Sequence, residues 1–187
     1  MTDKQNLVCG LDLSTSVCGW SRMSESGELL NYGFYKFDKP DGYTNLDLVN
    51  QWDEHVWPKI KDASTVVLED SLKRYQGGFS SRKTITKLLQ FNAVVRYELR
   101  KRKGKDSVIK IHPSTAKKES FLNRGRVPSN YKSPWSTYKD SKAWAIEEAK
   151  KQFDSYDYEL THAGNPRPGS ADCADSIILA SAFVGNN

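Results

Sequence analysis

The 187-residue sequence predicts an α/β fold: a mixed five-stranded sheet, with an antiparallel meander of three strands and then two parallel strands, flanked by helices. Three observations point there. The chain opens with three β-rich runs joined by short turns, which makes consecutive strands antiparallel. Two more β-rich runs follow, each preceded by a segment of helical period, as parallel strands require. The length suits one domain spanning 1–187 with a proper core and is short for two.

Residues 6–13 form an apolar run around one acid, and "STS" turns the chain into a second strand at 17–24 ("VCGWSRMS"). After "SGE", residues 28–37 ("ELLNYGFYKF") give a third, rich in the aromatic and aliphatic residues that suit a pleated sheet. "DKPDGYTN" is a loop, and Thr44 or Asn45 is expected to cap a helix over 46–59, ended near Pro58. Residues 64–69 return as a strand. "YQGGFSS" breaks the chain, with Ser80 or Ser81 as the cap of a long helix over 81–103. In that helix Ile85, Leu88, Leu89, Val95 and Leu99 mark an apolar face. Arg82, Lys83, Lys87, Arg96 and Arg100 mark a basic one, and Gly104 marks the stop. A short strand is expected at 107–112 and a helical turn from Pro113. Residues 123–138 form a loop, a helix follows over 139–153, and after "HAGNPRPGS" a last helix runs over 170–184 with Ser170 as its cap.

Hydrophobic residues at 37%, aromatics at 11% and charged residues at 27% describe a globular chain. No run is long and apolar enough to span a bilayer, and "MTDKQN" lacks the build of a secretory signal. The cytosol, or a nucleic-acid compartment open to it, is the expected compartment. Cys9, Cys18 and Cys173 have no metal-type spacing and read as reduced, buried thiols. His55, His112 and His162 show no ligand spacing either. The net charge of +5 conceals an asymmetry: residues 71–151 hold 21 Lys and Arg against 6 Asp and Glu, while the remainder holds 7 against 17. A surplus of 15 in one segment favours a basic face for a polyanion over helix faces that are merely solvated.

Four acids stand out against this background. Asp12 lies inside "LVCGLDLST", Glu69 ends "STVVLED", and Asp172 and Asp175 open "SADCADSIILASAF". A carboxylate in a buried strand is costly unless paired, and a metal ion is the usual partner of several at once. Strands one and four would set Asp12 beside Glu69 if they are neighbours. The last helix would bring Asp172 and Asp175, three apart on one face, to the same place. Two hard cations bridged by carboxylates cut phosphodiesters by activating water and stabilising the leaving oxygen. Asp12 is the best bridging ligand, Glu69 completes one site, and Asp172 with Asp175 completes the other. Lys117, Lys118 or Lys142 would offset charge on the phosphate. Each acid also has a plainer reading: a turn aspartate, a strand end entering solvent, or a helix N-terminal acid favoured by the dipole. Coincidence of all of them is the weaker explanation.

"GLDLSTSVCGW" resembles the first-strand motif of RuvC-type Holliday-junction resolvases, an Asp followed by a small-residue turn and a strand that starts with Gly and an aromatic. "VVLED" resembles their strand-borne Glu, and "SADCADSIILA" their closing D-x-x-D helix. The order holds over nearly the whole chain. The resemblance implies a ribonuclease-H-like fold, a homodimer, and Mg²⁺ dependence with two ions per active site (Mn²⁺ substituting). It also implies paired nicks at a four-way junction, with Asp12, Glu69, Asp172 and Asp175 as the acids. The family often has an aromatic three residues after the Glu; here that position is Leu72, with Tyr75 and Phe79 as nearby substitutes. That departure and the long 123–138 loop suggest a phage or mobile-element relative.

Branched DNA is thus the expected partner, gripped by Arg74, Arg82, Lys83, Lys117, Lys118, Arg124, Arg126 and Lys132, with Leu72, Tyr75, Phe79 and Trp135 against bases. The dimer is expected to form through the 81–103 helix. Rival readings are a related nuclease acting on RNA–DNA hybrid or flap DNA, a non-catalytic junction binder, which would be expected to lack one of the acids, and an ATP-binding protein of the actin and sugar-kinase type, which needs a second similar domain.

Overall fold

The computed structural model describes residues 6–70, 82–119, 130–135 and 139–185, without the side chains of Ser114, Lys117, Lys118 and Asp140. Five strands, β1 (Leu7–Leu13), β2 (Val17–Ser24), β3 (Leu29–Lys36), β4 (Thr65–Glu69) and β5 (Val108–Ile111), form one sheet in the order β3-β2-β1-β4-β5. β1 pairs antiparallel with β2, and β2 with β3; β1 pairs parallel with β4, and β4 with β5. The predicted meander and parallel pair are both present.

Alternation along the strands splits the core in two. Leu7, Cys9 and Leu11 of β1 face one way with Val66 and Leu68 of β4, against α1 (Asn45–His55) and α3 (Arg82–Lys103). Val8 and Val67 face the other way, against α5 (Asp140–Gln152) and α6 (Ser170–Val184), with Ala116 of α4 (Pro113–Glu119) in the same cluster. The period of two therefore puts Gly10 and Asp12 on the α6 side, together with Glu69.

Thr44 caps α1 through a reciprocal box, its hydroxyl accepting from the Asp47 N–H while the Asp47 carboxylate accepts from the Thr44 N–H. The expected helix over 46–59 is in fact two. Pro58 has no N–H for the Glu54 carbonyl and its ring would press on that turn, so α1 stops at His55. A four-residue helix, α2 (Trp57–Ile60), restarts with the proline in its first turn, where no N–H is needed. Gly104 ends α3 as expected, at φ +93° with its N–H on the Arg100 carbonyl.

The faces of α3 also need correcting. Phe91, Val95 and Leu99 are the buried row, while Ile85 and Leu88 are half-buried. Leu89 does not join them: it is 43% exposed, with Val94 at 41% and Tyr97 at 63%. Apolar residues thus occur on two sides of this helix, and periodicity alone merged them. The three cysteines are free and buried, as expected.

Candidate functional site

Recorded pairing between β1 and β4 runs from Val8–Thr65 to Leu11–Leu68, so Asp12 and Glu69 follow as the next residues of adjacent parallel strands. Their backbones are then about 4.8 Å apart. Asp12 is half-buried and Glu69 exposed, at the edge where both strands leave the sheet. On its other side Asp12 is paired with Gly19 of β2.

Helix α6 reaches this edge because the sheet beneath it has no side chain at Gly10 and Gly19, where the helix crosses most closely. A Cβ on Gly19 would lie 2.1 Å from the Asp172 carbonyl oxygen, and one on Gly10 would lie 1.9 Å from that of Ser176. The two glycines let helix backbone rest on strand backbone. Ser170 is not the cap of α6. Gly169 holds that place at φ +100°, under the ring of Phe34, which leaves no room for a Cβ. The Ser170 hydroxyl turns back instead to donate to the Arg167 carbonyl at 2.9 Å. The Tyr156 hydroxyl donates to the Ser170 carbonyl at 2.9 Å and holds the start of the helix. Asp172 and Asp175, both half-buried, then stand over β1 and β2, with Asp172 in the first turn, where the helix dipole favours an acid.

These placements make one electrostatic unit. Burial, above all, holds the Asp12 carboxyl well above the usual aspartate range, and the negative charges of Asp175, Asp172 and Glu69 push the same way. Lys142 on α5 opposes them, its Nζ 3.8 Å from Asp172 Oδ1. Asp70 stands apart, paired with Lys110 and held by its N–H to the Ile111 carbonyl at 2.8 Å. Burial raises the nearby Cys173 thiol to about 12, helped by Asp172 and Asp12, so it is a protonated packing residue rather than a nucleophile.

Among the described residues, no three His, Cys, Asp or Glu side chains form a ready cage for an ion. The donor set nevertheless fits a hard divalent cation. It is all carboxylate, and its central member is disfavoured as an anion by like charges that a cation would relieve. Mg²⁺ takes one or two carboxylates plus water and substrate phosphate in preference to an all-protein cage.

Of the other predicted site residues, Lys142 is brought to the acids among the described side chains. Lys117 and Lys118 lie on α4, but their side chains are outside the description, and Leu72, Arg74, Tyr75, Phe79, Arg124 and Arg126 lie outside the described residues. Arg82 and Lys83 are exposed at the start of α3, and Lys132 is exposed. Trp135 is half-buried, with its ring edge-on to Tyr158 at 5.6 Å, and Tyr131 donates to Glu147 at 2.8 Å. The described part of that loop is therefore packed on the body of the protein. The residues that sequence reasoning missed are Gly10 and Gly19 as the seats of α6; glycine inside a β-rich run was the available signal.

Neither a family model nor a curated protein sequence matches the chain. Solved structures do. Thermus thermophilus RuvC is 12% identical, with 96% of this chain covering 93% of that one at a TM-score of 0.58, and 0.63 for the same protein in complex with a Holliday junction substrate. The yeast mitochondrial Holliday junction resolvase is 13% identical over 97% of this chain and 78% of its own, at 0.58. The fowlpox virus resolvase is 15% identical over 96% and 97%, at 0.50. The chain therefore has the ribonuclease-H-like fold of the RuvC-type resolvases.

Proposed function

We propose that the protein is a divalent-metal-dependent endonuclease that resolves four-way junctions and related branched DNA by paired nicks. The observation that carries this reading is the convergence of Asp12, Glu69, Asp172 and Asp175 at one edge of the sheet, three elements supplying four hard oxygen ligands. Its chemistry is independent of the fold comparison, and the comparison adds that proteins of this shape include a RuvC in complex with a Holliday junction substrate.

In this reading Asp12, Glu69, Asp172 and Asp175 would hold the divalent ions, with Asp12 as the central ligand. Mg²⁺ or Mn²⁺ bound there would supply an activated water and offset charge on the phosphate. The chain's own part is to fix the ligands through the Gly19–α6 contact and to present Lys142. The Lys142 ammonium beside Asp172 is placed to attract the scissile phosphate and to stabilise the charge it gains. The segment carrying the surplus of 15 positive charges would track the neighbouring backbone.

Paired nicks need two active sites, and α3 supplies a surface for a second copy. Leu89, Ala93 and Tyr97 recur every four residues with Val94 alongside, all exposed on a helix about 33 Å long. A two-fold pairing there would match the near-symmetry of a junction.

The test is incubation with a four-way junction, a Y-fork, a linear duplex and an RNA–DNA hybrid in Mg²⁺. Symmetric nicking of the junction is expected, with Asp12→Asn binding but not cutting it. Preferential cleavage of the hybrid, or activity that survives the Asn change, would overturn the reading.

A further inference from the structure

On the α1 and α3 side of the sheet, the turn that follows Asp12 borders a cavity of about 150 Å³. Its described lining is Thr15 from that turn, Tyr43 from the loop before α1, and Lys83, Thr84 and Lys87 from the first turns of α3. None of these is acidic. The volume is several times the ~10–15 Å³ that one water needs by the same measure, so there is room for a tetrahedral anion.

Two ammonium groups beside this cavity are held in place. Lys87 Nζ lies 4.4 Å from the centre of the Tyr43 ring, and Lys39 Nζ lies 5.7 Å from the same ring. Lys39 is anchored by donating to Ser16 Oγ at 2.7 Å. Asn45 Nδ2 donates to the Lys87 carbonyl at 3.2 Å and to Gln90 Oε1 at 3.1 Å, which ties the start of α1 to α3. Thr15 sits in a turn closed by Ser14, whose hydroxyl donates to the Val17 carbonyl at 2.7 Å and accepts from the Val17 N–H at 2.9 Å. Two lysines, Lys39 and Lys87, thus flank one aromatic ring, Lys83 lines the same cavity, and a braced turn carries Thr15 three residues on from Asp12.

We propose that this cavity seats one phosphate of the DNA strand being cut, displaced by a few nucleotides from the scissile one. Lys83 and Lys87 would neutralise it, and the Thr15 and Thr84 hydroxyls would lie within reach of its oxygens. Because the braced turn that carries Thr15 directly follows the strand end that carries Asp12, a phosphate fixed here sets the register of the strand across the acids. These are positioning residues, not catalytic ones. The inference rests on the branched-DNA nuclease reading and adds a defined subsite to it.

A methylphosphonate scan tests it: junctions neutralised at one linkage at a time around the nick, with binding measured in Ca²⁺ and nicking in Mg²⁺. With the wild-type protein, one non-scissile linkage should weaken binding roughly eightfold at 0.1 M salt, the loss of about one counterion-releasing contact. Lys87→Gln should lower the salt slope by about 1, shift the nick position, and be indifferent to that linkage. Lys59→Gln, an exposed lysine on α2, should remain sensitive to it. If no non-scissile linkage matters to the wild type, or if Lys87→Gln keeps its slope and linkage sensitivity, the subsite is wrong while the nuclease reading stands. A wild-type protein that neither binds nor nicks branched DNA would remove both.

Discussion

Gly19 and Asp172 touch backbone to backbone: a Cβ on the glycine would stand 2.1 Å from the aspartate's carbonyl oxygen. Gly19 is also the cross-strand partner of Asp12. One residue without a side chain therefore sets the distance between the strand that carries the central acid and the helix that carries two more. The geometry of the candidate site depends on this packing contact as much as on the acids themselves.

Gly19→Ala should consequently damage the site more than the fold. The added methyl meets backbone, which has no rotamer by which to yield, so α6 must lift or tilt. Overpacking of this kind costs about 1–3 kcal/mol, and at roughly 2–4 °C per kcal/mol for a chain of this size the Tm should fall by several degrees. Gly10→Ala presses on the Ser176 carbonyl one turn further along and should cost similar stability. Nicking rates measured well below both Tm values should fall further for Gly19→Ala, because Asp172 is the residue displaced. Equal activity losses at equal stability losses would show that the contact matters only to folding.

Much of this arrangement was legible in the sequence. The strand directions followed from turn lengths and from where helical periods intervene, and the acids from their positions at the ends of apolar runs, while the adjacency of β1 and β4 had to come from the structure. The approach of Lys142 to Asp172 was not legible, because a lysine's place depends on how a helix is rotated, and α5 carries no mark that fixes its rotation. The faces of α3 were merged for a related reason. Leu89 lies only one residue from Leu88, and nothing local says which of the two meets Phe91 and the sheet. The cavity around Tyr43 was illegible because it joins a turn, a loop and a helix that share no motif. The break at Val56 was partly legible: Pro58 announced it, but a proline in a first turn can also begin a helix, and here it does.

The exposed row on α3 leads to a prediction about assembly. Leu89, Val94 and Tyr97 are 43%, 41% and 63% exposed, a stripe that a monomer has no reason to keep dry. A specific interface needs about 800 Å² from each partner, and the stripe with its flanking stems is the place to supply it. Leu89→Glu combined with Tyr97→Glu should halve the mass seen by light scattering while leaving the far-UV spectrum intact, since both side chains already face solvent. Junction cleavage should then change from paired cuts to isolated single nicks. A double variant that keeps the wild-type mass would mean that this stripe is not an interface between copies of the chain.

Asp12 links the acids to stability, and the sign follows from its surroundings. Its folded-state carboxyl is held well above the ordinary value of 3.8 by burial and by Asp175, Asp172 and Glu69. The folded chain therefore binds more protons at this group than the unfolded chain, and stability falls as pH rises from about 4 through the raised value. Above that range the metal-free protein bears the full cost of an ionised, crowded carboxylate. Asp12→Asn removes it, so in EDTA at pH 7 to 8 the variant should melt above the wild type, with the gap narrowing as the pH is lowered towards 4. A divalent cation relieves the same repulsion by a different route. Mg²⁺ at 100 times its dissociation constant contributes about 2.7 kcal/mol, which at roughly 2–4 °C per kcal/mol raises the wild-type Tm by about 5–11 °C. The variant, lacking the central ligand, should respond far less. Melting curves of both proteins across pH, with EDTA and with Mg²⁺, separate the two effects. Identical curves for the two proteins under all these conditions would mean that Asp12 is neither crowded by its neighbours nor a ligand.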